Sequence, residues 1–207
     1  MNLDFSGETS VSATLSLEQG KKVELADDSG EMKVTGTEDK ERTFDFVQFH
    51  FHTPSEHTVN GKQYPAELHF VHYHKDSERY TVLGMFLSDT EGTSWPTKDF
   101  FKELDLENAG KDKVSVPMDF LLNELPNKGK YYHYLGSLTT PPCTEAVNWY
   151  VLKKPMKIDS DDLTKLKALL DNNNARATQN INGRTIYEGY SSVLSVFGSL
   201  IALLALY

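Results

Sequence analysis

Alternation of apolar and polar positions governs the chain from Phe44 onward. In Phe44 to His52 (FDFVQFHFH) aromatic and β-branched residues prevail, and a strand sends every second side chain to one face, so His50 and His52 point together. Ala66 to His74 (AELHFVHYH) reads as a second strand, with Glu67, His69, Val71 and Tyr73 on one face and Leu68, Phe70, His72 and His74 on the other. Further strand-like runs are Ser10 to Leu17, Met32 to Thr35, Tyr80 to Leu87, Lys130 to Tyr134 and Ala146 to Ile158. TPSEH and VNGKQYP mark turns between the two histidine-bearing strands, and Asn60-Gly61 is a hairpin dipeptide. Helical signals are fewer: Asp99 to Leu106, Met118 to Leu125 after Pro117, and an amphipathic stretch that Ser160 caps and that runs through Leu170. The pattern predicts a mainly β fold with short helices at its edge.

Pairing the two strands brings His69 beside His50 and His52. Three neutral imidazoles around one point, with no cysteine or fourth histidine in register, form the ligand set of a catalytic zinc site that keeps one position open. Imidazole also suits copper, nickel and iron, so the ligand types leave those metals open. Gln48 stands two residues before His50 and Glu67 two before His69, each on its neighbour's face, where such groups fix tautomer and ring direction. An isolated His-x-His pair is a weak signal. Five of the seven histidines fall between Phe49 and His72, however, a density that packing alone explains poorly.

Composition narrows the alternatives. The 207 residues suffice for one domain, and 39% hydrophobic with 25% charged residues is ordinary for a globular protein. A net charge of −9 without any Lys/Arg block argues against nucleic acid as a partner. No Gly-rich phosphate loop occurs, and the absence of an HExxH helix disfavours a zinc hydrolase acting on peptides or esters.

Four separated motifs carry a resemblance. QFHFHTPSEHTVNGKQYPAELHFVHYH (Gln48 to His74), YTVLGMFL (Tyr80 to Leu87), YLGSLTTPPCTEAVNWYVL (Tyr134 to Leu152) and NARATQNINGR (Asn174 to Arg184) together resemble the α-class carbonic anhydrases, over roughly residues 10 to 188. The resemblance implies a central twisted, mostly antiparallel sheet with a few short peripheral helices. It makes His50, His52 and His69 the ligands of Zn2+, with Gln48 and Glu67 as hydrogen-bond partners of His50 and His69. Thr139 becomes the gatekeeper, accepting a hydrogen bond from zinc-bound hydroxide and passing its own proton to Glu56, while its backbone N–H faces a substrate oxygen. Thr140 lines the same pocket, Val71, Val82, Leu138 and Trp149 form an apolar wall for carbon dioxide, and Tyr134 matches a tyrosine that hydrogen-bonds the gatekeeper. His57, His72 and His74 are read as structural or exposed. The implied function is reversible hydration of carbon dioxide to bicarbonate and a proton, with a slow or inactive binding or structural module as the alternative.

The chain also departs from that family. No histidine precedes His50 to act as the proton shuttle of fast members, and the tryptophan-rich opening and QSPI-like segment of the family's N-terminal part have no counterpart. Cys143 is the only cysteine, so the disulfide that secreted relatives make from this position lacks its partner. Residues 1–188 are therefore expected to form an N-terminally truncated domain. Residues 189–207 are expected to form a hydrophobic tail, and the charge-free run from Ser191 to be a membrane anchor or a glycolipid-anchor signal, with a helix packed on the domain as the alternative, since Val193 to Tyr207 is shorter than the roughly 20 residues of a spanning helix. Met1 to Gly20 has no leader-like apolar stretch, and the expectation that joins both ends is the C-terminal part of a longer secretory or cell-surface precursor.

Overall fold

The computed structural model describes residues 2–7, 10–15, 22–25, 30–35, 41–92, 97–104, 106, 113–117 and 130–190. Its strands are β1 (Asn2–Gly7), β2 (Ser10–Leu15), β3 (Lys22–Leu25), β4 (Gly30–Thr35), β5 (Glu41–His52), β6 (Thr58–Val59), β7 (Lys62–Gln63), β8 (Ala66–His74), β9 (Arg79–Ser88), β10 (Lys113–Pro117), β11 (Lys130–Ser137), β12 (Glu145–Leu152), β13 (Met156–Lys157) and β14 (Tyr187–Tyr190). Two α-helices lie among the described residues, α1 (Thr97–Leu104) and α2 (Ser160–Leu169), with a 3-10 turn at Lys75–Ser77.

Twelve of the strands form one sheet, ordered β10-β2-β3-β5-β8-β9-β12-β11-β14, with β4 joining β5 to β1 and β13 added to β9. Pairing is antiparallel except where β12 and β13 meet β9. This agrees with the expected mainly β, mostly antiparallel architecture. The hairpin at Asn60-Gly61 forms between β6 and β7, with both residues at positive φ (51° and 79°), the conformation that dipeptide favours.

β5 contains the feature that positions the site. Strict alternation would place Phe44 and Phe46 on the face opposite to Phe49 and Phe51, yet all four belong to or pack against one core cluster. The register with β8 shifts between Phe46 and Gln48, and Val47 stands 43% exposed at that irregularity. A bulge of this kind adds one residue to one strand and reverses the parity beyond it. The two phenylalanine pairs thus share the core, and Gln48, His50 and His52 turn to the other face. The core is completed by Leu68, Phe70, Leu83, Met85 and Leu87 from β8 and β9, and by Phe100, Phe101 and Leu104 of α1.

Some expected boundaries change. The run from Ala146 to Ile158 is not one strand: β12 stops at Leu152, and Pro155, which has no N–H for a ladder, precedes the short β13. The helix expected at Asp99 to Leu106 begins and ends two residues earlier. Asp159 rather than Ser160 caps α2, its carboxylate accepting from Asp161 N–H at 2.9 Å, because Ser160 is already the first helical residue. The strands β1, β3, β10 and β14 were not expected from the pattern. Met118 to Leu125 and the tail from Ser191 lie outside the described residues, and no helix among the described residues is long and apolar enough to cross a membrane.

Candidate metal centre

His50 and His69 are direct register partners across β5 and β8, and His52 faces Glu67 one step along. The three imidazoles form a near-equilateral triangle, with ring centroids 4.9 Å (His50–His52), 5.1 Å (His50–His69) and 4.8 Å (His52–His69) apart. All three are buried, at 8%, 3% and 1% exposure. One ring nitrogen of each is tied to a fixed acceptor. His50 Nδ1 donates to Gln48 Oε1 at 2.7 Å, His52 Nδ1 to the Asn174 carbonyl at 3.4 Å, and His69 Nε2 to Glu67 Oε1 at 2.9 Å.

These bonds assign the tautomers and leave Nε2 of His50, Nε2 of His52 and Nδ1 of His69 as the inward lone pairs. His52 Nε2 and His69 Nδ1 are buried without a hydrogen-bond partner. A buried polar atom left unpaired is costly, and two that converge on one point fit a cation. Burial, and after it the neighbouring His69, push the His52 imidazole down to about 3, so it stays neutral, as a ligand must. The ligand-capable atoms of His50, His52 and His69 lie within 4.8 Å of one another. The residues present therefore fit a three-histidine zinc site.

Glu67 anchors a wider network. Its Oε1 also accepts from His57 Nδ1 at 2.6 Å, and its Oε2 accepts from the backbone N–H groups of Glu56 and His57, both at 2.9 Å. Burial by itself would raise this carboxyl, but the charges and hydrogen bonds of His57 and His69 outweigh it and hold Glu67 well below the usual carboxylate range. Burial likewise opposes a charge on His57, whose pKa is nevertheless raised because Glu67 lies against it. His57 is thus a structural member of the centre, reached by no periodicity argument. Its Nε2 bonds the Tyr134 hydroxyl at 2.6 Å.

Asn174 was missed as an individual. Its side chain donates to the Phe51 carbonyl at 2.9 Å and accepts from Thr53 N–H at 2.8 Å, and its backbone carbonyl holds His52. More than 120 positions separate these partners in the chain, and nothing local in the sequence signals the contact. Two residues on, Arg176 N–H donates to Glu56 Oε1 at 2.8 Å. Glu56 Oε2 remains buried without a hydrogen-bond partner, 3.3 Å from His52 Nε2.

Three of the four residues expected to form an apolar wall lie in one row. Gln48, Val71, Val82, Trp149 and Tyr134 are successive register partners across β5, β8, β9, β12 and β11. Val71, Val82 and Trp149 are buried together, with Leu138 packed at the edge, and the Trp149 ring lies 4.8 Å from that of His69. Trp149 Nε1 donates to the Ser137 carbonyl at 3.0 Å, tying the Thr139 loop to β12. A cavity of about 370 Å³ has Glu56, His57, Tyr134 and Thr139 in its walls, but none of His50, His52 and His69 and none of Val71, Val82, Leu138 and Trp149. Thr140 is not in that lining; its carbonyl accepts from Cys143 N–H at 2.9 Å and closes a turn. Cys143 itself is a free thiol.

The match of residues 1–190 to the model of the eukaryotic-type carbonic anhydrases settles the family. The chain belongs to the carbonic anhydrases. It is similar to a carbonic anhydrase of Neisseria gonorrhoeae, 37% identical over 147 residues, or 71% of this chain and 57% of that protein. It is also similar to a carbonic anhydrase of Klebsiella pneumoniae, 39% identical over 151 residues, or 70% and 58%. Among solved structures, the α-carbonic anhydrase of Thermovibrio ammonificans in complex with sulfanilamide superposes with a TM-score of 0.71 at 32% identity, covering 90% of this chain and 78% of that one. The chain thus spans less than two thirds of the length of these two curated relatives. The carbonic anhydrase reading of the sheet and of the histidine triad is borne out, and zinc is the ion this ligand set serves.

Proposed function

We propose that the protein catalyses the reversible hydration of carbon dioxide to bicarbonate and a proton. The observation that carries this reading is the convergence of three buried imidazoles, each oriented by its own hydrogen-bond partner. When bound, zinc supplies a Lewis acid that lowers the pKa of its water from about 15.7 to roughly 7. Three uncharged ligands leave the ion's charge undiminished, while Gln48, Asn174 and Glu67 keep the rings from turning away. Glu56, which lines the same cavity as Thr139, keeps Oε2 buried and without a hydrogen-bond partner, an acceptor for that threonine. A Thr139 hydroxyl that donates to this carboxylate presents only its lone pairs to the reacting water, which selects the orientation with the nucleophilic pair toward carbon. Carbon dioxide, which is apolar, is held at the row of Val71, Val82 and Trp149 beside Leu138. The water oxygen bonds to its carbon, a C=O electron pair moves onto oxygen, and the released proton passes to solvent.

Stopped-flow hydration with the zinc-loaded chain tests the reading. His52→Ala is expected to abolish both stoichiometric zinc and activity, and an undiminished rate would refute the mechanism. Thr139→Ala is expected to keep its zinc and lose about 100-fold in kcat/KM, within the range for a single oriented polar group.

A further inference from the structure

β9 sends Val82, Gly84 and Phe86 to the face that carries the histidines, and of the three only Gly84 brings no side chain. Its register partners are His69 on β8 and Val151 on β12. The backbone at Gly84 is an ordinary strand without positive φ, so its conformation does not call for glycine. Glycine in fact weakens a strand interior, and often marks a close approach by another group. Here that group is the Glu67 carboxylate. A Cβ at residue 84 would stand 3.0 Å from Glu67 Oε1, against 3.5 Å from Val151 Cγ2 and 3.7 Å from His69 Cδ2. The last two are ordinary contacts; the first requires the carboxylate to move.

Glu67 has little freedom to do so. Its two oxygens accept from four donors, namely His69 Nε2, His57 Nδ1 and the N–H groups of Glu56 and His57. The residue is 0% exposed, so water cannot replace a bond that breaks. β9 cannot retreat either, because it is hydrogen-bonded to β8 on one side and to β12 on the other. A side chain at residue 84 must therefore displace Oε1, the atom that holds His69.

We infer that Gly84 is a positioning residue of the metal centre: the room it leaves is where Glu67 holds His69 with Nδ1 turned toward the ion. This rests on the reading of His50, His52 and His69 as metal ligands. The test measures zinc affinity by competition with a chromophoric chelator, the visible spectrum of the cobalt-substituted protein, and the thermal midpoint of the zinc-free chain. Gly84→Ala should lower zinc affinity about 10- to 100-fold, the effect typical of groups that orient ligands, and alter the cobalt spectrum. In a Glu67→Ala background the added methyl meets nothing closer than 3.5 Å, and Gly84→Ala should cost no further affinity. Val151→Ala, which removes the second contact, should not restore the affinity of Gly84→Ala.

Three results would overturn the inference while leaving the zinc reading intact: wild-type affinity in Gly84→Ala, an equal loss in both backgrounds, or rescue by Val151→Ala. Should Gly84→Ala fail to fold, Glu67→Ala must restore a folded chain, and a double variant that stays unfolded overturns the inference as well. A wild-type chain that takes up no zinc would sink both readings together.

Discussion

The two faces of β5, β8 and β9 are both buried but are held by different physics. On one face Phe49, Phe70 and Leu83 lie in register across the three strands, and Phe51, Leu68 and Met85 form the next row, all at 2% exposure or less. Facing the other way, His50, His69 and Gly84 make one row and His52, Glu67 and Phe86 the next. An apolar row needs only volume and shape, so its energy is spread over many weak contacts. The polar row needs a partner for every buried nitrogen and oxygen, which couples Gln48, Asn174, His57 and Tyr134 into one arrangement. Substitutions on the first face should change stability, and those on the second should change metal affinity.

The largest expected effect lies on the apolar face. Phe49→Ala removes a ring packed against Phe70 and Phe100, with centroids at 5.5 and 5.8 Å, and should cost about 3–5 kcal/mol in urea unfolding. The folded fraction should keep its zinc affinity. A matching fall in affinity would break the distinction between the faces.

His72 sharpens it, being an ionisable group on the apolar side, in register with Phe46 and Thr81. Burial pushes its imidazole down to about 4. The folded chain then binds fewer protons than the unfolded chain between pH 4 and the ordinary value of 6.5, so this contribution to stability is complete above pH 6.5 and is lost as pH falls toward 4. The loss should approach about 3 kcal/mol, and His72→Gln should flatten that part of the pH profile when both proteins are compared zinc-free. An unchanged profile would mean that His72 does not titrate with folding.

The smallest effect on stability is expected on the polar face. Gln48→Ala frees His50 Nδ1 and should weaken zinc binding about 10- to 100-fold, while moving the urea midpoint much less than Phe49→Ala. Equal midpoints for the two variants would show that the faces are not separable.

Alternation along β5 and β8 made much of the centre legible. It paired His50 with His52, placed Gln48 and Glu67 beside the rings they orient, and set Val71 on the same side. The motifs then named the fold and the remaining residues of the wall. Within β5 the reversal of hydrophobic parity after Phe46 was present in the sequence, but only the register shift at Val47 shows how both phenylalanine pairs reach one core.

What the chain by itself determined was local: which residues share a strand face, where Asn60-Gly61 reverses direction, and which three side chains carry ligand chemistry. Tertiary structure alone decided who holds them. Asn174 reaches His52, Arg176 reaches Glu56, Tyr134 reaches His57, and Gly84 makes space for Glu67. Such pairings join segments distant in the chain through hydrogen bonds and steric room, and neither has a period. Side-chain alternation is a property of one strand, whereas the partner of a buried polar atom is whatever the folded sheet and its loops bring within 3 Å or so.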